Sequence, residues 1–420
     1  MNMAGTGHRM RRPIIIQVSN GSVRIPSANS GGVELTIANL CQEYRKLGCH
    51  PLVIDNCYVE LSDQEGLSPE DGIDVLRVRS GNQRSISAGT SLVYKLLRLL
   101  GRSKFMIKSA IRIRTIRVDA VQVYDALAAA LLSFFLPKTK IVYTHVSSYW
   151  PSPSNNRLPR ILTRILSPLI NTCSIVVVQN RFAASSLIAG GVDTAKVSVI
   201  TPGLNVTPSQ LFKYPHIENF RINLPKLYVL FVGRINHEKG VDVLLESINF
   251  IVNRKNRKNI MFLFAGPIGE FEKDGKTDSY LDALTDFVKA NGLGHFVRFL
   301  GRVASNELAV LYDNCLCLVL PSRRETFGHV IGEAFLFSKP VIATRTLGAE
   351  MQIKDGETGF LVGIGEATTI ADRILQFVDN PELAVAMGRL ANARMEGKGW
   401  DKVASKYLDL IANEKTRPVI

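Results

Sequence analysis

Short apolar runs alternate with longer segments of helical periodicity along the whole chain. Runs rich in β-branched and aromatic residues predict strands, and apolar residues that recur every three or four positions predict amphipathic helices. Strands that alternate with helices are typical of parallel α/β sheets. The predicted strands of the first half are Ile14–Val18, Pro51–Ile54, Val118–Val123, Lys140–Thr144 and Ile175–Val178. Those of the second half are Leu227–Val232, Ile260–Ala265, Phe296–Leu300, Cys317–Leu320 and Val341–Thr344.

The two series of strands are separated by a segment without strong periodicity. Residues 201–225 contain four prolines, which helix interiors and central strands accommodate poorly, so this segment predicts a domain linker. A chain of 420 residues also exceeds what one hydrophobic core usually supports. We therefore predict two Rossmann-like α/β domains with a cleft between them, at residues 1–203 and 204–399. Trp400 to Ile411 predicts one more amphipathic helix after the second sheet.

Charge is distributed unevenly along this basic chain. The net charge is +14, yet residues 75–192 alone carry 17 basic side chains and only 2 acidic ones, Asp119 and Asp125. An excess of this size predicts either an anionic partner for the N-terminal half or a heavily solvated face.

The cysteines and the apolar runs bear on localisation. The six cysteines form no Cys-x-x-Cys pair, a pattern typical of buried thiols in a reducing cytoplasm. The apolar run near the N-terminus has five residues, too few for a signal-peptide core. The longest uncharged apolar stretch, Ala126 to Leu136, has 11 residues, against the ~20 that span a bilayer. We expect a cytoplasmic protein without a membrane-spanning segment.

A first candidate motif follows the strand Leu227–Val232. Gly233 and Arg234 come directly after it, and Lys239 follows five residues later. Ligands of open α/β sheets bind beyond the carboxyl ends of strands. Gly233 permits a tight turn, while Arg234 and Lys239 supply two cations suited to a diphosphate. Taken alone, the motif is equally consistent with a solvated loop.

A second candidate motif, PSRRETFG, follows the strand Cys317–Leu320 and precedes a helix predicted from about His329 to Phe337. Backbone N–H groups at Gly328 and its neighbours would form an anion site at the helix N-terminus. Glu333 lies about one turn inside, and its side chain leans back toward that end. Its carboxylate would accept hydrogen bonds from ribose hydroxyls, whereas Glu325 would meet a sugar. The alternative is a pair of capping and surface glutamates.

The motifs between Phe231 and Val362 resemble the nucleotide-binding lobe of the retaining GT-B glycosyltransferases of the large group 1, or family 4. The Glu-x7-Glu signature of that family corresponds to Glu325 and Glu333. The strings that carry the resemblance are FVGRINHEKGVDVLLE, LPSRRETFGHVIGEAF, KPVIATRTLGAE and DGETGFLV, with looser matches in GGVELTIANLCQEYRKLGCHPLVI and YTH.

The resemblance implies a GT-B fold with assigned domain roles. Residues 1–203 would form the acceptor-binding domain, with residues 400–420 packing back onto it, and residues 204–399 would bind the nucleotide sugar. Gly233, Arg234 and Lys239 would form the loop that holds the donor diphosphate. Glu333 would bind the ribose. Glu325, with the backbone of Phe327 and Gly328, would meet the donor sugar or phosphate.

The N-terminal half contributes two weaker candidates through the same resemblance. His145 would lie near the anomeric carbon, which gives a catalytic set of Glu325, His145, Arg234 and Lys239. Gly31 and Gly32 would form a loop that closes over the phosphates. A core histidine and an ordinary strand-to-helix turn are the alternatives for these two features.

The predicted reaction is transfer of a hexose from a nucleotide-diphosphate sugar to a hydroxyl, and the resemblance implies retention of configuration. The chain has no Asp-x-Asp triplet and no metal-ligand cluster, so we expect neither a metal nor another cofactor. Fixed cations and a helix N-terminus would stabilise the leaving group instead. A non-hydrolysing sugar-nucleotide epimerase is the alternative enzyme. An oxidoreductase is disfavoured because no G-x-G-x-x-G follows the first strand.

The basic stretch predicts a partner. Residues 92–118 hold eight basic side chains and no acidic one, with Lys95, Arg98 and Arg102 on one helical face, and residues 157–168 form a second basic amphipathic segment. Such segments suit an anionic bilayer. We expect a peripheral enzyme on the cytoplasmic face of a membrane, with a lipid or lipid-linked acceptor of polysaccharide or glycolipid biosynthesis. An anion- or nucleic-acid-binding protein using residues 75–192 is the rival class; we expect no nucleic acid, because no known module is present.

Overall fold

The computed structural model describes two compact units. The N-terminal unit comprises Met1–Gly203 and Gly399–Ile420, and the C-terminal unit comprises Leu204–Lys398. The residues described are 12–19, 25, 32–57, 64–70, 72–80, 92–146, 166–204, 224–267 and 277–413.

The N-terminal unit is built on an eight-stranded sheet in the order β3-β4-β2-β1-β5-β6-β7-β8. Its strands are β1 Ile14–Val18, β2 His50–Asn56, β3 Gly66–Glu70, β4 Ile73–Val78, β5 Ala120–Val123, β6 Ile141–His145, β7 Ile175–Val178 and β8 Val197–Val199. Neighbouring strands are parallel except at the edge, where β3 runs antiparallel to β4. Its helices include α1 Gly32–Lys46, α2 Leu92–Arg114, α3 Ala126–Phe135, α4 Arg181–Ala189 and α12 Trp400–Ala412.

Helix α12 belongs to the N-terminal unit although it closes the sequence. Its Trp400, Val403 and Tyr407 are buried in one apolar cluster with Ile15 of β1 and Tyr44 of α1. The predicted packing of the last helix onto the first domain is thereby confirmed. The hydrophobic stripe of α12 explains the contact, because its apolar side chains recur every three or four residues.

The C-terminal unit is built on a fully parallel six-stranded sheet in the order β11-β10-β9-β12-β13-β14. Its strands are β9 Tyr228–Val232, β10 Met261–Ala265, β11 Val297–Gly301, β12 Cys317–Leu320, β13 Val341–Thr344 and β14 Gly359–Val362. Its helices are α5 Val241–Asn249, α6 Thr277–Ala290, α7 Ser305–Asn314, α8 His329–Leu336, α9 Leu347–Gln352, α10 Ala367–Asp379 and α11 Pro381–Ala393. Apolar clusters cover both faces, so the strands are almost continuously hydrophobic.

The strand order of this sheet reverses between two neighbouring strands. The chain runs outward from β9 through β10 to β11 and then returns to β12, on the other side of β9. The loops that follow β9 and β12 therefore leave the same edge of the sheet in opposite directions. Such a switch point is where open α/β sheets place their ligands.

All ten predicted strands are present, and the fold class is confirmed. Four strands were missed. β3 contains a proline and a glutamate, β4 carries Arg77 in its interior, β8 has three residues, and β14 begins with a glycine. All six cysteines are buried. Among the described residues no helix is long and apolar enough to cross a bilayer.

Candidate active site

The loop after β9 holds Lys239 in a locally determined conformation. Residues His237–Lys239 form a single 3₁₀ turn, and Asn236 caps it by accepting a hydrogen bond from the Lys239 N–H at 3.1 Å. Asparagine is a favoured residue for this position because its side-chain oxygen satisfies an otherwise unpaired donor.

Gly240 brings this loop against the segment that follows β12. Its φ of 67° lies in the left-handed region, which glycine adopts without a steric cost. A Cβ atom at this position would lie 2.0 Å from the carbonyl oxygen of Pro321. Only glycine permits this approach of the two backbones, so the loops after β9 and β12 lie in direct contact.

Arg323 fastens the same two loops together. Its backbone N–H donates to the carbonyl of Glu238 at 2.8 Å, and its guanidinium donates to the carbonyl of His237 at 2.7 Å. The guanidinium also forms a two-pronged ion pair with Asp242 of α5, at 2.8 and 2.6 Å. The Tyr280 hydroxyl donates to the same carboxylate at 2.9 Å.

The charge of Asp242 is stabilised by this arrangement. Burial alone would raise the pKa of the carboxyl, but the hydrogen bonds from Arg323 and Tyr280 and the charge of Arg323 hold the pKa below its ordinary value. Arg323, Asp242 and Tyr280 were not predicted as site residues from the sequence. Their partners are distant in sequence, so no local motif identifies them.

Lys239 and Glu325 meet where the two loops join. The ammonium Nζ lies 2.5 Å from Oε2 of Glu325, and the two side chains are 15% and 13% exposed. An ammonium group has three N–H donors, so Lys239 can bind an anion while keeping this partner. Arg234 is exposed, and its side chain makes no hydrogen bond or ion pair with any described residue.

The N-terminus of α8 faces the same loop. Gly328 caps the helix with a φ of 77°, and a Cβ there would approach Cγ of Glu325 to 3.0 Å. The amide of Gln352 donates to the carbonyls of Phe327 and Gly328, which fixes the backbone at the start of the helix. Burial lowers the pKa of His329 to about 4, so this first helical residue is neutral at pH 7.

Glu333 lies on α8, one turn beyond this N-terminus. The Tyr312 hydroxyl, from α7, donates to Oε2 of Glu333 at 2.8 Å. Burial raises the pKa of the Glu333 carboxyl, and the hydrogen bond from Tyr312 partly opposes that rise. Glu333 is thus a carboxylate held in a partly buried position without a cation beside it among the described residues.

The structure places the predicted residues in two separate sets. Seven of them belong to the C-terminal unit: Gly233, Arg234, Lys239, Glu325, Phe327, Gly328 and Glu333. His145 belongs to the N-terminal unit, where it ends β6, is buried, and hydrogen-bonds through Nδ1 to the Tyr143 hydroxyl at 2.8 Å. Gly32 is the first residue of α1, and Gly31 lies outside the described residues. The predicted roles of all these residues stay predictions.

No candidate metal centre is found in the part of the chain that the structure describes, where no three His, Cys, Asp or Glu side chains form a group.

Two parallel-sheet units, with a last helix that packs on the first, define the GT-B class of glycosyltransferase folds. HepE from Anabaena, in a structure with UDP-glucose, is similar to this chain with a TM-score of 0.68 and 20% identity, over 95% of this chain and 99% of HepE. At that identity the likeness shows the fold alone.

The amino-acid sequence also matches two protein-family models. The model described as "Glycosyl transferases group 1" matches residues 214–394, and that described as "Glycosyltransferase Family 4" matches residues 30–207. The chain belongs to the group 1 glycosyltransferases, which confirms the family predicted from its motifs.

Curated relatives include D-inositol 3-phosphate glycosyltransferases. That of Streptomyces avermitilis is 31% identical over 52% of this chain and 47% of its own length, so the chain spans about half of this relative. That of Corynebacterium urealyticum is 24% identical over 93% of both chains.

Proposed function

We propose that this protein transfers a hexose from a nucleotide-diphosphate sugar to a hydroxyl acceptor with retention of configuration. The observation that carries the proposal is the contact of Lys239 with Glu325 at the switch point of the C-terminal sheet, beside the N-terminus of α8. Cations and helix N–H groups at one sheet edge suit a diphosphate, and a carboxylate one turn further suits a ribose. Family membership supports the same donor class.

Each side chain has a defined task in this proposal. Lys239 and Arg234 would neutralise the charge that develops on the leaving diphosphate, and the N–H groups at the start of α8 would add oriented dipoles. Glu325 would hold Lys239 in place and accept a hydrogen bond from the donor sugar. Glu333 would bind the ribose. His145 would act near the anomeric carbon, and Gly31 and Gly32 would contact the phosphates.

Donor binding is the first test of the proposal. The purified protein is screened by thermal shift with UDP-, GDP- and ADP-sugars, since a ligand that binds only the native state raises its melting temperature. The UDP-glucose complex of HepE makes UDP-sugars the first choice. Absence of a shift with all three bases would contradict the donor site.

Stereochemistry and the competing epimerase reaction are tested together. With the donor alone, an epimerase converts the sugar, whereas a transferase leaves its configuration unchanged. With an acceptor, NMR coupling constants of the new glycosidic bond report retention or inversion. An epimerised sugar in the absence of acceptor would overturn the proposed reaction.

The proposed acceptor is a lipid or a lipid-linked glycan at the cytoplasmic face of a membrane, and α2 supports it. Phe105, Met106 and Ile113 of this helix are buried in the N-terminal core. The opposite stripe, spaced at helical intervals, consists of Lys104, Ile107, Ile111 and Arg114 and is exposed. Exposed isoleucines between basic residues suit the surface of an anionic bilayer.

A third exposed apolar side chain, that of Phe134, lies near this stripe. The Arg114 guanidinium donates to the carbonyl of Phe135 at 2.7 Å, and the neighbouring Phe134 is 77% exposed at the end of α3. Exposed aromatic residues are favoured at the boundary between head groups and acyl chains.

Not every residue of the basic segments supports this surface. Arg102, predicted on the basic face, pairs with Asp125 at 3.3 Å, and Arg112 pairs with Glu65 at 3.3 Å. The side chains of Lys95 and Arg98 and residues 157–165 lie outside the described residues. The membrane surface is therefore proposed for the stripe and Phe134 only.

Sedimentation with liposomes tests the membrane surface. The protein is expected to bind vesicles that contain anionic lipid at low salt and to be released as salt screens the charges. The double variant Ile107→Asp/Ile111→Asp should lose binding, while Leu47→Asp, at another exposed apolar position of the same unit, should not. Equal binding of the two variants, or binding to RNA in preference to vesicles, would contradict the proposal.

A further inference from the structure

Tyr312 occupies a position from which it can control Glu333. It lies on α7, is buried, and stacks on Phe337 with ring centroids 5.7 Å apart and planes inclined by 12°. Its hydroxyl is directed at Oε2 of Glu333, at 2.8 Å. The stacked ring restricts the rotamers of the tyrosine, so the position of its hydroxyl oxygen is fixed by packing.

The two oxygens of the Glu333 carboxylate are in different situations. Oε2 accepts the hydrogen bond from Tyr312, whereas Oε1 has no hydrogen-bond partner among the described residues. A carboxylate has about four lone-pair sites, so a partner on one oxygen leaves the other able to accept from a ligand. A ribose offers two neighbouring hydroxyls as donors.

We propose that Tyr312 is a positioning residue for the nucleotide ribose: its hydroxyl holds Glu333 so that Oε1 accepts from a ribose hydroxyl. The inference rests on the proposed function, because it assumes that Glu333 meets the ribose of the donor. In this inference Tyr312 contributes to the difference in affinity between a ribonucleotide and the same nucleotide without its 2′- and 3′-hydroxyls.

A purely structural role for Tyr312 makes a different prediction, and the chain offers a matched control. Tyr228 of β9 is also buried, and its hydroxyl donates to the carbonyl of Leu311, the neighbour of Tyr312 in α7, at 2.8 Å. Replacing either tyrosine by phenylalanine removes one buried hydrogen bond beside the same helix. Only Tyr312→Phe changes the surroundings of Glu333.

The ionisation of Glu333 supplies a second signature. Burial raises the pKa of Glu333, and the Tyr312 hydrogen bond lowers it, so loss of the hydroxyl raises the pKa further. Among the described residues, Cys315 is the other titratable group that acts on this pair, and burial raises its pKa to about 12. Burial raises the pKa of Tyr312 well above its ordinary value. Both stay protonated at neutral pH. Ribonucleotide binding needs the ionised carboxylate, so it is lost as the pH is lowered. In Tyr312→Phe this loss should begin at a higher pH than in the wild type.

The experiment compares three probes by calorimetry: UDP, GDP or ADP, whichever the wild type binds, its 2′,3′-dideoxy form, and inorganic pyrophosphate. Tyr312→Phe should bind the ribonucleotide roughly tenfold more weakly, the size expected for one hydrogen bond to a charged group. It should bind the dideoxynucleotide and pyrophosphate like the wild type. Tyr228→Phe should leave all three affinities unchanged.

The outcomes separate this inference from the function on which it rests. If the wild type binds none of the nucleotides, the proposed function fails. If it prefers the ribonucleotide but Tyr312→Phe keeps that preference, or loses affinity for all three probes equally, Tyr312 has no positioning role.

A further variant covers the case in which Tyr312→Phe does not fold. 2,3-Difluorotyrosine at position 312 keeps the ring and makes the hydroxyl a stronger donor. A stronger hydrogen bond lowers the pKa of Glu333, so the variant should keep its ribonucleotide affinity to a lower pH than the wild type. An unchanged pH dependence of ribonucleotide affinity would contradict the inference.

Discussion

The two units treat buried charge differently. Within the described residues, the charged side chains that are almost fully buried are Glu34, Asp55 and Arg77, and all three belong to the N-terminal unit. Among the described residues, the C-terminal unit buries only neutral polar side chains to this degree. Two of its ion pairs, Lys239–Glu325 and Arg323–Asp242, lie at the switch point and are partly exposed. Two similar sheets thus place charged side chains in different ways. In one unit they form buried ion pairs that stabilise the fold, and in the other they stay partly exposed, where a ligand can reach them.

In the N-terminal unit the buried Arg77 and Asp55 are paired with each other and with further protein groups. Arg77 pairs with Asp55 and with Glu70, and its guanidinium also donates to the carbonyl of Ile25 at 2.7 Å. Asp55 accepts from the N–H of Ile25 at 3.0 Å and from Ser19. These contacts join β2, β3 and β4, the strands that carry Asp55, Glu70 and Arg77.

The loops of the C-terminal unit keep their charges partly exposed. Lys239 and Glu325 satisfy one another, but each retains capacity for a further hydrogen bond. Arg323 and Asp242, by contrast, are committed to each other and hold the loops together. The Lys239–Glu325 pair can therefore bind a ligand, whereas the Arg323–Asp242 pair holds the two loops in position.

The largest effect is expected where the buried pair is broken. Arg77→Met should destabilise the protein by about 3 to 5 kcal/mol, because Asp55 is left buried without its cation. Urea denaturation measures the loss. The control is Arg45→Met, in an exposed pair with Asp74, where the change should stay below about 1 kcal/mol. Equal losses in the two variants would contradict the structural role given to burial.

The corresponding change in the C-terminal unit should affect activity instead of stability. Lys239→Ala should reduce kcat by about 10²- to 10³-fold, the range found when one donor to a developing anion is removed. Transfer rates with the donor identified by screening provide the measurement. Arg257→Ala, in an exposed pair with Asp379 of the same unit, should retain activity. A folded Lys239→Ala with near-normal rates would remove Lys239 from the site.

Glu333 tests whether a charge in the C-terminal unit is kept for a ligand at the expense of stability. Because burial raises its pKa in the folded state, the wild type is most stable below the ordinary pKa and loses stability as pH rises through the raised value. Glu333→Gln should therefore melt a few degrees higher than the wild type at neutral pH and no higher near pH 4. Thermal melts across pH measure this, and a constant difference would refute the assignment.

The smallest effect concerns the scaffold alone. Ser338 has a φ of 55°, in the left-handed region, where a side chain costs roughly 1 kcal/mol. Ser338→Gly should raise stability by about 0.5 to 1 kcal/mol without changing donor affinity. Asn256→Gly, at a φ of 53°, should gain less, because asparagine tolerates this region. A larger gain at Asn256 would contradict the explanation.

Much of the fold was predictable because it follows local patterns. Strands such as β9 and β12 are apolar on both faces and are bounded by glycine or proline, which makes them visible in sequence. β4 escaped prediction because Arg77, a charged residue in a strand interior, becomes acceptable only through Asp55 and Glu70, which lie elsewhere in the chain. Long-range partners decide such positions.

The same reason limits prediction of the candidate site. Lys239, Glu325 and Glu333 stand in contiguous motifs beside strand ends, so their residue types and spacing could be read directly. Tyr312 lies on α7, outside those motifs, and a buried tyrosine in an amphipathic helix resembles an ordinary core residue. Only the three-dimensional contact with Glu333 distinguishes it.

The close approach of Gly240 to Pro321 has a consequence for engineering. Since the two backbones touch and Arg323 ties them to α5, neither loop can be exchanged independently of the other. A chimaera that imports the segment after β12 from a relative must import the matching turn after β9 as well. Donor preference should then be transferred only when both segments are exchanged together. A library that randomises one segment alone would mostly contain variants in which the two loops no longer fit.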